Sequence, residues 1–238
     1  MVGAKRWINL GFISFQPSEV AKIGLIIFYA SLLTKNKERI GEMWGGFFYP
    51  LMFLLPVIAI LVGVQNHLSA TILIIMIVSI MMLMAGSRLR YFLSFGTAGI
   101  AAGGAALFAY AKITGKGMFR ITRLITFLDP FADTLGDGWQ VVQSLYAIGS
   151  GGLFGVGLGN STQKYLYLPD SYTDFIFPIV VEEWGMLVGV LIIIGYGVIL
   201  YRIFKIARSA KNLGNGLIAY GVFAYIITHI NQNSIRNI

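Results

Sequence analysis

Residues 68–86 read LSATILIIMIVSIMMLMAG, nineteen positions without one charged side chain. As an α-helix such a run rises about 28 Å, close to the hydrocarbon thickness of a bilayer. It therefore reads as a transmembrane helix, and the rest of the chain agrees. Five more apolar stretches qualify or come close, at roughly 20–34, 46–64, 91–111, 175–200 and 213–230. Across all 238 residues 57% are hydrophobic and 12% are charged, with a mean hydropathy of +0.76. A soluble domain carries about twice that charged fraction. The expected fold class is an all-α integral membrane protein: a polytopic helix bundle of about six spans, forming one membrane domain over 1–238 with a large outward-facing loop.

The chain has no cysteine and two histidines, His67 and His229, which excludes a disulfide scaffold and Cys- or His-rich metal sites. Its net charge of +8 follows from topology. Of eighteen basic residues, nine fall in three short connections: Lys35, Lys37 and Arg39; Arg88 and Arg90; Arg202, Lys205, Arg208 and Lys211. Short loops rich in Lys and Arg stay cytoplasmic. Both chain ends and residues 112–173 are then expected to face outward, and no nucleic-acid partner is needed to explain the charge. Nothing in the sequence explains how an outward Met1 without a signal peptide or a preceding span would get there, so the chain reads as beginning after earlier helices.

Residues 112–173 are too long for a simple connector, and long ordered loops are usually functional. Asp129, Asp133, Asp137 and Asp170 lie in this loop and Asp174 at its exit, beside Lys112, Lys116, Arg120, Arg123 and Lys164. Mixed charge over an apolar bundle suits a polar substrate at the membrane surface. Gln140 to Ile148 reads as an amphipathic helix with Gln140, Gln143 and Ser144 on one polar face. The glycine run from Gly149 to Asn160 has two readings, an anion-holding nest of backbone amides or a tight turn packed on the bundle. Asp170 and Asp174 sit four apart where the fifth span begins, and either can serve as a helix cap favoured by about 0.3–1 kcal/mol. Asp174 has a second reading. It stands against Phe175, Ile176 and Phe177, and a carboxylate on an apolar wall has a raised pKa suited to a general base.

Charges at membrane depth are functional candidates by default. Glu19 and Lys22 are three apart, after Gln16-Pro17-Ser18, and are expected to pair on one helix face. Glu182 and Glu183 lie at or near membrane depth, at least one of them facing the bundle interior. His67 reads as a hydrogen-bonded loop residue. Trp7, Trp44, Trp139 and Trp184 read as interfacial anchors or packing, and Met81 to Met84 as core filler or lipid-facing surface.

The stretch from Lys5-Arg-Trp-Ile-Asn through Gln16-Pro-Ser-Glu-Val-Ala-Lys22 resembles the SEDS family (shape, elongation, division and sporulation; RodA, FtsW and SpoVE). The similarity continues through Phe127-Leu-Asp-Pro-Phe-Ala-Asp133, Gly136-Asp-Gly-Trp-Gln140 and Gln143-Ser-Leu-Tyr-Ala-Ile-Gly-Ser-Gly-Gly-Leu-Phe-Gly155. It ends in Gly157-Leu-Gly-Asn-Ser161, Gln163-Lys164, Tyr167-Leu-Pro-Asp170 and Thr173-Asp-Phe-Ile-Phe177, and reaches to about Ile230. His67-Leu-Ser-Ala-Thr71 and Gly157 to Ser161 lean toward the FtsW/SpoVE type.

The resemblance implies a peptidoglycan glycosyltransferase that polymerises lipid II into glycan strands at the outer face of the bacterial cytoplasmic membrane, for division or sporulation. It also implies a class B penicillin-binding protein and other divisome or sporulation membrane proteins as partners, and a divalent cation, Mg²⁺ or Mn²⁺. The family's essential aspartate falls on Asp174 and its sensitive acid–lysine pair on Glu19 and Lys22. Arg120, Arg123, Gln143, Lys164 and Asp170 join them as candidate substrate contacts. The family's ten or so spans, against six here, imply truncation at both ends. Relatives often carry Glu-x-His where this chain has Asp170-Ser171-Tyr172, and Glu-Pro where it has Gln65-Asn66. A lipid II flippase and a non-catalytic scaffold are the rival readings.

Overall fold

The computed structural model describes residues 8–9, 14–63, 68–114, 131, 138–166 and 175–237. After a two-residue antiparallel ladder, Ile8 opposite Phe15 and Asn9 opposite Ser14, these residues are almost all helical. Helix α1 spans Pro17–Lys35. A π-helical turn at Trp44–Phe48 leads into α2, Tyr49–Gly63, followed by α3, Leu68–Ala85, and α4, Leu89–Thr114. Then come α5, Trp139–Gly151, and the single turn α6, Gln163–Leu166. The chain closes with α7, Ile176–Trp184, α8, Met186–Ser209, and α9, Leu213–Asn237.

Among the described residues, four stretches are long and apolar enough to cross a bilayer: Pro17–Lys35, Trp44–Gly63, Met186–Ser209 and Leu213–Ile230. Ser69–Ala85 is equally apolar but shorter. The fifth expected span, 175–200, is corrected. It is two helices, α7 and α8, broken at Gly185 with φ +87°. Hydropathy does not register the break because residues 184–186, Trp-Gly-Met, are uncharged throughout.

The chain divides into two compact units, Met1–Thr97 with Ile199–His229, and Ala98–Val198 with Ile230–Ile238. The first has a continuous apolar core. Ile26, Tyr29 and Leu33 of α1 meet Leu54 and Leu61 of α2, Ile74, Ile77, Val78, Met81 and Met82 of α3, and Leu217 and Ala224 of α9. Met81 and Met82 are thus core filler, while Met84 is exposed. Two buried hydroxyls in this unit are paired, as burial demands. The Tyr29 hydroxyl donates to the Pro50 carbonyl at 2.8 Å, and Ser87 Oγ to the Gly46 carbonyl at 2.7 Å, tying the end of α3 to the π-helical turn. In the second unit the dominant packing is α5 against α7.

Candidate active site

Helix α1 begins where Gln16 is extended and Pro17 takes the first helical position, where a missing N–H costs nothing. That start puts Glu19 in the first turn, where the helix dipole favours an acid. Lys22 lies one turn on, its Nζ 2.8 Å from Glu19 Oε1. The expected pair therefore forms, but asymmetrically: the lysine side chain is 1% exposed and the glutamate 38%. Leu25 of α1 and Ile74, Ile77 and Val78 of α3 form the apolar wall around Lys22.

Two further members come from α9. Gly221 lets that helix approach Ile26 of α1 and Met81 of α3, where a Cβ would collide. Residues one and two turns beyond Gly221 share its face. They are Tyr225 and His229. The Tyr225 hydroxyl donates to Glu19 Oε2 at 3.0 Å, and Lys22 Nζ stands 2.9 Å from His229 Nε2. The ammonium also lies 5.7 Å from the centre of the Tyr225 ring, and His229 Nε2 is 3.5 Å from Glu19 Oε2. An ammonium has three donors and no acceptor. With Lys22 charged, His229 Nε2 must be bare and its proton on Nδ1. Sequence reading missed Tyr225 and His229, which are 206 and 207 positions from their partners.

The second unit holds a different polar centre. Glu182 of α7 is fully buried. Its Oε2 accepts from Ser161 Oγ at 2.5 Å, and its Oε1 from the Thr162 amide at 3.1 Å and from Ser150 Oγ at 3.4 Å. Ser161 Oγ in turn accepts from the Lys164 amide at 3.1 Å. The neighbouring Glu183 pairs with Lys164 Nζ at 3.5 Å. The two adjacent glutamates thus hold the segment from Ser150 to Lys164.

The glycine run is resolved in favour of close packing. The amides of Val156 and Gly157 donate to the carbonyls of Glu182 and Glu183, and those of Met186 and Leu187 to the carbonyls of Gly152 and Leu153. Amides spent this way do not form an anion nest. A Cβ on Gly151, Gly155 or Gly185 would collide with the facing backbone. Helix α5 forms as expected, but its polar face is corrected: Gln140 is exposed, whereas Gln143 and Ser144 are buried. Ser144 Oγ turns back to the Gln140 carbonyl at 2.8 Å. The face turns inward because α5 packs on α7.

Glu19, Lys22, Gln143 and Lys164 are therefore placed. Asp170, Asp174, Arg120, Arg123 and His67 lie outside the described residues. Among the described residues no three His, Cys, Asp or Glu side chains converge.

The chain matches the FtsW/RodA/SpoVE "Cell cycle protein" family over residues 1–238. It is 35% identical to stage V sporulation protein E of Bacillus subtilis over 231 residues, covering 97% of this chain and 61% of that one. It is 39% identical to the probable peptidoglycan glycosyltransferase FtsW of Saccharophagus degradans over 221 residues, 93% of this chain and 55% of that one. Among solved structures, a chain of a peptidoglycan synthase complex coordinating polymerization and crosslinking superposes with a TM-score of 0.77 at 28% identity. That match takes in 100% of this chain and 63% of the other. The rod shape determining protein RodA of Thermus thermophilus gives 0.55 at 27% identity, over 94% of this chain and 55% of that one. The chain thus spans little more than half the length of these relatives, and it belongs to the FtsW/RodA/SpoVE family.

Proposed function

We propose that the protein of which this chain is the matching part polymerises lipid II into glycan strands. The observation that carries the reading is the family match over residues 1–238, together with relatives named as peptidoglycan glycosyltransferases. Asp174 is the general base. It takes the proton of the acceptor sugar's hydroxyl as that oxygen attacks the anomeric carbon of the donor. The bond from that carbon to the diphosphate breaks, the diphosphate leaves with the electron pair, and the α-linkage inverts to β. Negative charge develops on the leaving group, and preorganised cations aimed at it lower the barrier. Arg120, Arg123 and Lys164 supply that charge, and Asp170 holds the sugar side.

Residues 112–173 face the outside of the cytoplasmic membrane, where the polar half of lipid II is presented. The partner is a class B penicillin-binding protein, a reading supported by the similarity to a complex that couples polymerization to crosslinking.

The test is lipid II polymerisation by the chain completed to the length of its relatives, reconstituted with its partner and moenomycin to silence other polymerases. Glycan strands from wild type that vanish with Asp174→Asn, at unchanged expression and melting, are the expected result. Equal product from both sinks the general base. No product from either, while lipid II still crosses liposomes, moves the assignment to transport. Repeating the assay with chelator, then with Mg²⁺ or Mn²⁺ restored, reports whether a divalent cation shares the charge on the diphosphate.

A further inference from the structure

We infer that His229 is a positioning residue for the Glu19–Lys22 pair: its neutral imidazole, bare at Nε2, receives the Lys22 ammonium and so fixes that pair, and protonating it dismantles the arrangement. The inference rests on the polymerase reading for its consequence and on geometry for its substance.

Lys22 is 2% exposed inside an apolar wall, so its charge must be met by protein. One carboxylate oxygen satisfies one of three ammonium donors. His229 Nε2, at 2.9 Å, satisfies a second. The Tyr225 ring, 5.7 Å from Nζ, adds the attraction of its π face. The Tyr225 hydroxyl meanwhile holds Glu19 Oε2, so α9 contacts both members of the α1 pair. Among the described residues, the charged and titratable groups facing His229 are Lys22 and Glu19 from α1 and Tyr225 from its own helix, while the α3 face against Lys22 is Ile74, Ile77 and Val78.

Neutral His229 and neutral Tyr225 leave Glu19 and Lys22 as a balanced pair. An imidazolium would carry a proton on Nε2 and aim it at the ammonium, so the 2.9 Å contact would become two donors facing each other. The Nε2 proton would instead turn to Glu19 Oε2, 3.5 Å away, and compete with Lys22 for that carboxylate. His229 and Glu19, 31% and 38% exposed, are the members a proton or a ligand can reach. The buried lysine is governed through them.

Two experiments on the completed protein test this. The first is independent of activity. Nitrogen-15 histidine spectra in bilayers are recorded for wild type and His229→Gln, and the difference isolates the His229 signal. At neutral pH a protonated Nδ1 with a bare Nε2 is expected; an Nε2–H tautomer or an imidazolium overturns the inference even if the enzyme is active.

The second is the pH profile of lipid II polymerisation with the partner present. A glutamine oxygen can accept from Lys22 but does not take a proton, so His229→Gln keeps product formation near neutral pH and its acid limb moves or flattens. His229→Ala loses the acceptor, and losing a hydrogen bond to a charged group costs about tenfold or more in kcat. His229→Ala within twofold of wild type at every pH, or His229→Gln with an unchanged acid limb, overturns the positioning role. A wild type with no polymerase activity defeats the polymerase reading and leaves the spectrum to decide the geometry.

Discussion

At the scale of single residues, the two buried polar centres differ in how their charge is met. Lys22 is held by a local acid and by two side chains from a distant helix, whereas Glu182 is held by hydroxyls and an amide. Glu182→Gln keeps an oxygen for the Thr162 amide and turns its NH₂ toward Ser161 Oγ, so it lowers stability by about 1 kcal/mol. Glu182→Ala strands the Ser161 hydroxyl, which is 1% exposed, and opens a void. The expected loss is about 2–5 kcal/mol, read as a lower melting temperature of the purified protein. Equal melting of the Ala and Gln variants contradicts Glu182 as the acceptor that holds Ser161 and Thr162. The Glu19–Lys22 contact was legible in the sequence because i, i+3 geometry is local and fixed by the helix. Tyr225 and His229 were not, since the periodicity of 213–230 says that one face is apolar and is silent about which helix it meets.

At the scale of elements, the glycine run and the break at Gly185 belong to one device. Gly152 and Leu153 accept from Met186 and Leu187, and Glu182 and Glu183 accept from Val156 and Gly157, so the loop lies backbone to backbone on the junction of α7 and α8. Composition alone does not separate such a contact from an anion nest, because both need glycine and differ only in where the amides point. Gly155 and Gly159 make a matched pair for testing this. Their φ angles are +80° and +78°, so an alanine at either carries the same left-handed cost, about 1–2 kcal/mol. Around Gly159 a Cβ meets nothing within 4 Å, whereas at Gly155 it runs into the Glu183 carbonyl group and the Gly185 amide. Gly159→Ala should therefore fold with a modest loss of melting temperature. Gly155→Ala should lose far more, together with polymerisation, because neither backbone can move without releasing the other. Matching losses from the two variants would mean that conformation, and not close approach, is what these glycines supply.

At the scale of the whole molecule, two levels of information carry different parts of the architecture. Hydropathy and the distribution of Lys and Arg set the direction in which the helices thread the bilayer, while the hydrogen-bonded centres set the local geometry within each unit. The threading is testable by itself because the chain contains no cysteine, so one introduced thiol per variant is the only thiol in it. Phe154 lies in the loop proposed to face outward and is 81% exposed. Arg88 lies in a short, exposed basic connection between α3 and α4. Placing a lysine or arginine at the centre of a translocated helix costs about 2.5–3.5 kcal/mol, and the bias of short basic loops toward the cytoplasm acts on top of that penalty. In intact cells a membrane-impermeant maleimide should label Phe154→Cys and spare Arg88→Cys, which should react only after permeabilisation. The inverted pattern would put the loop carrying Lys164 and leading to Asp174 on the cytoplasmic side. Lipid II polymerisation at the outer surface would then be untenable for this chain, however well its residues match the family.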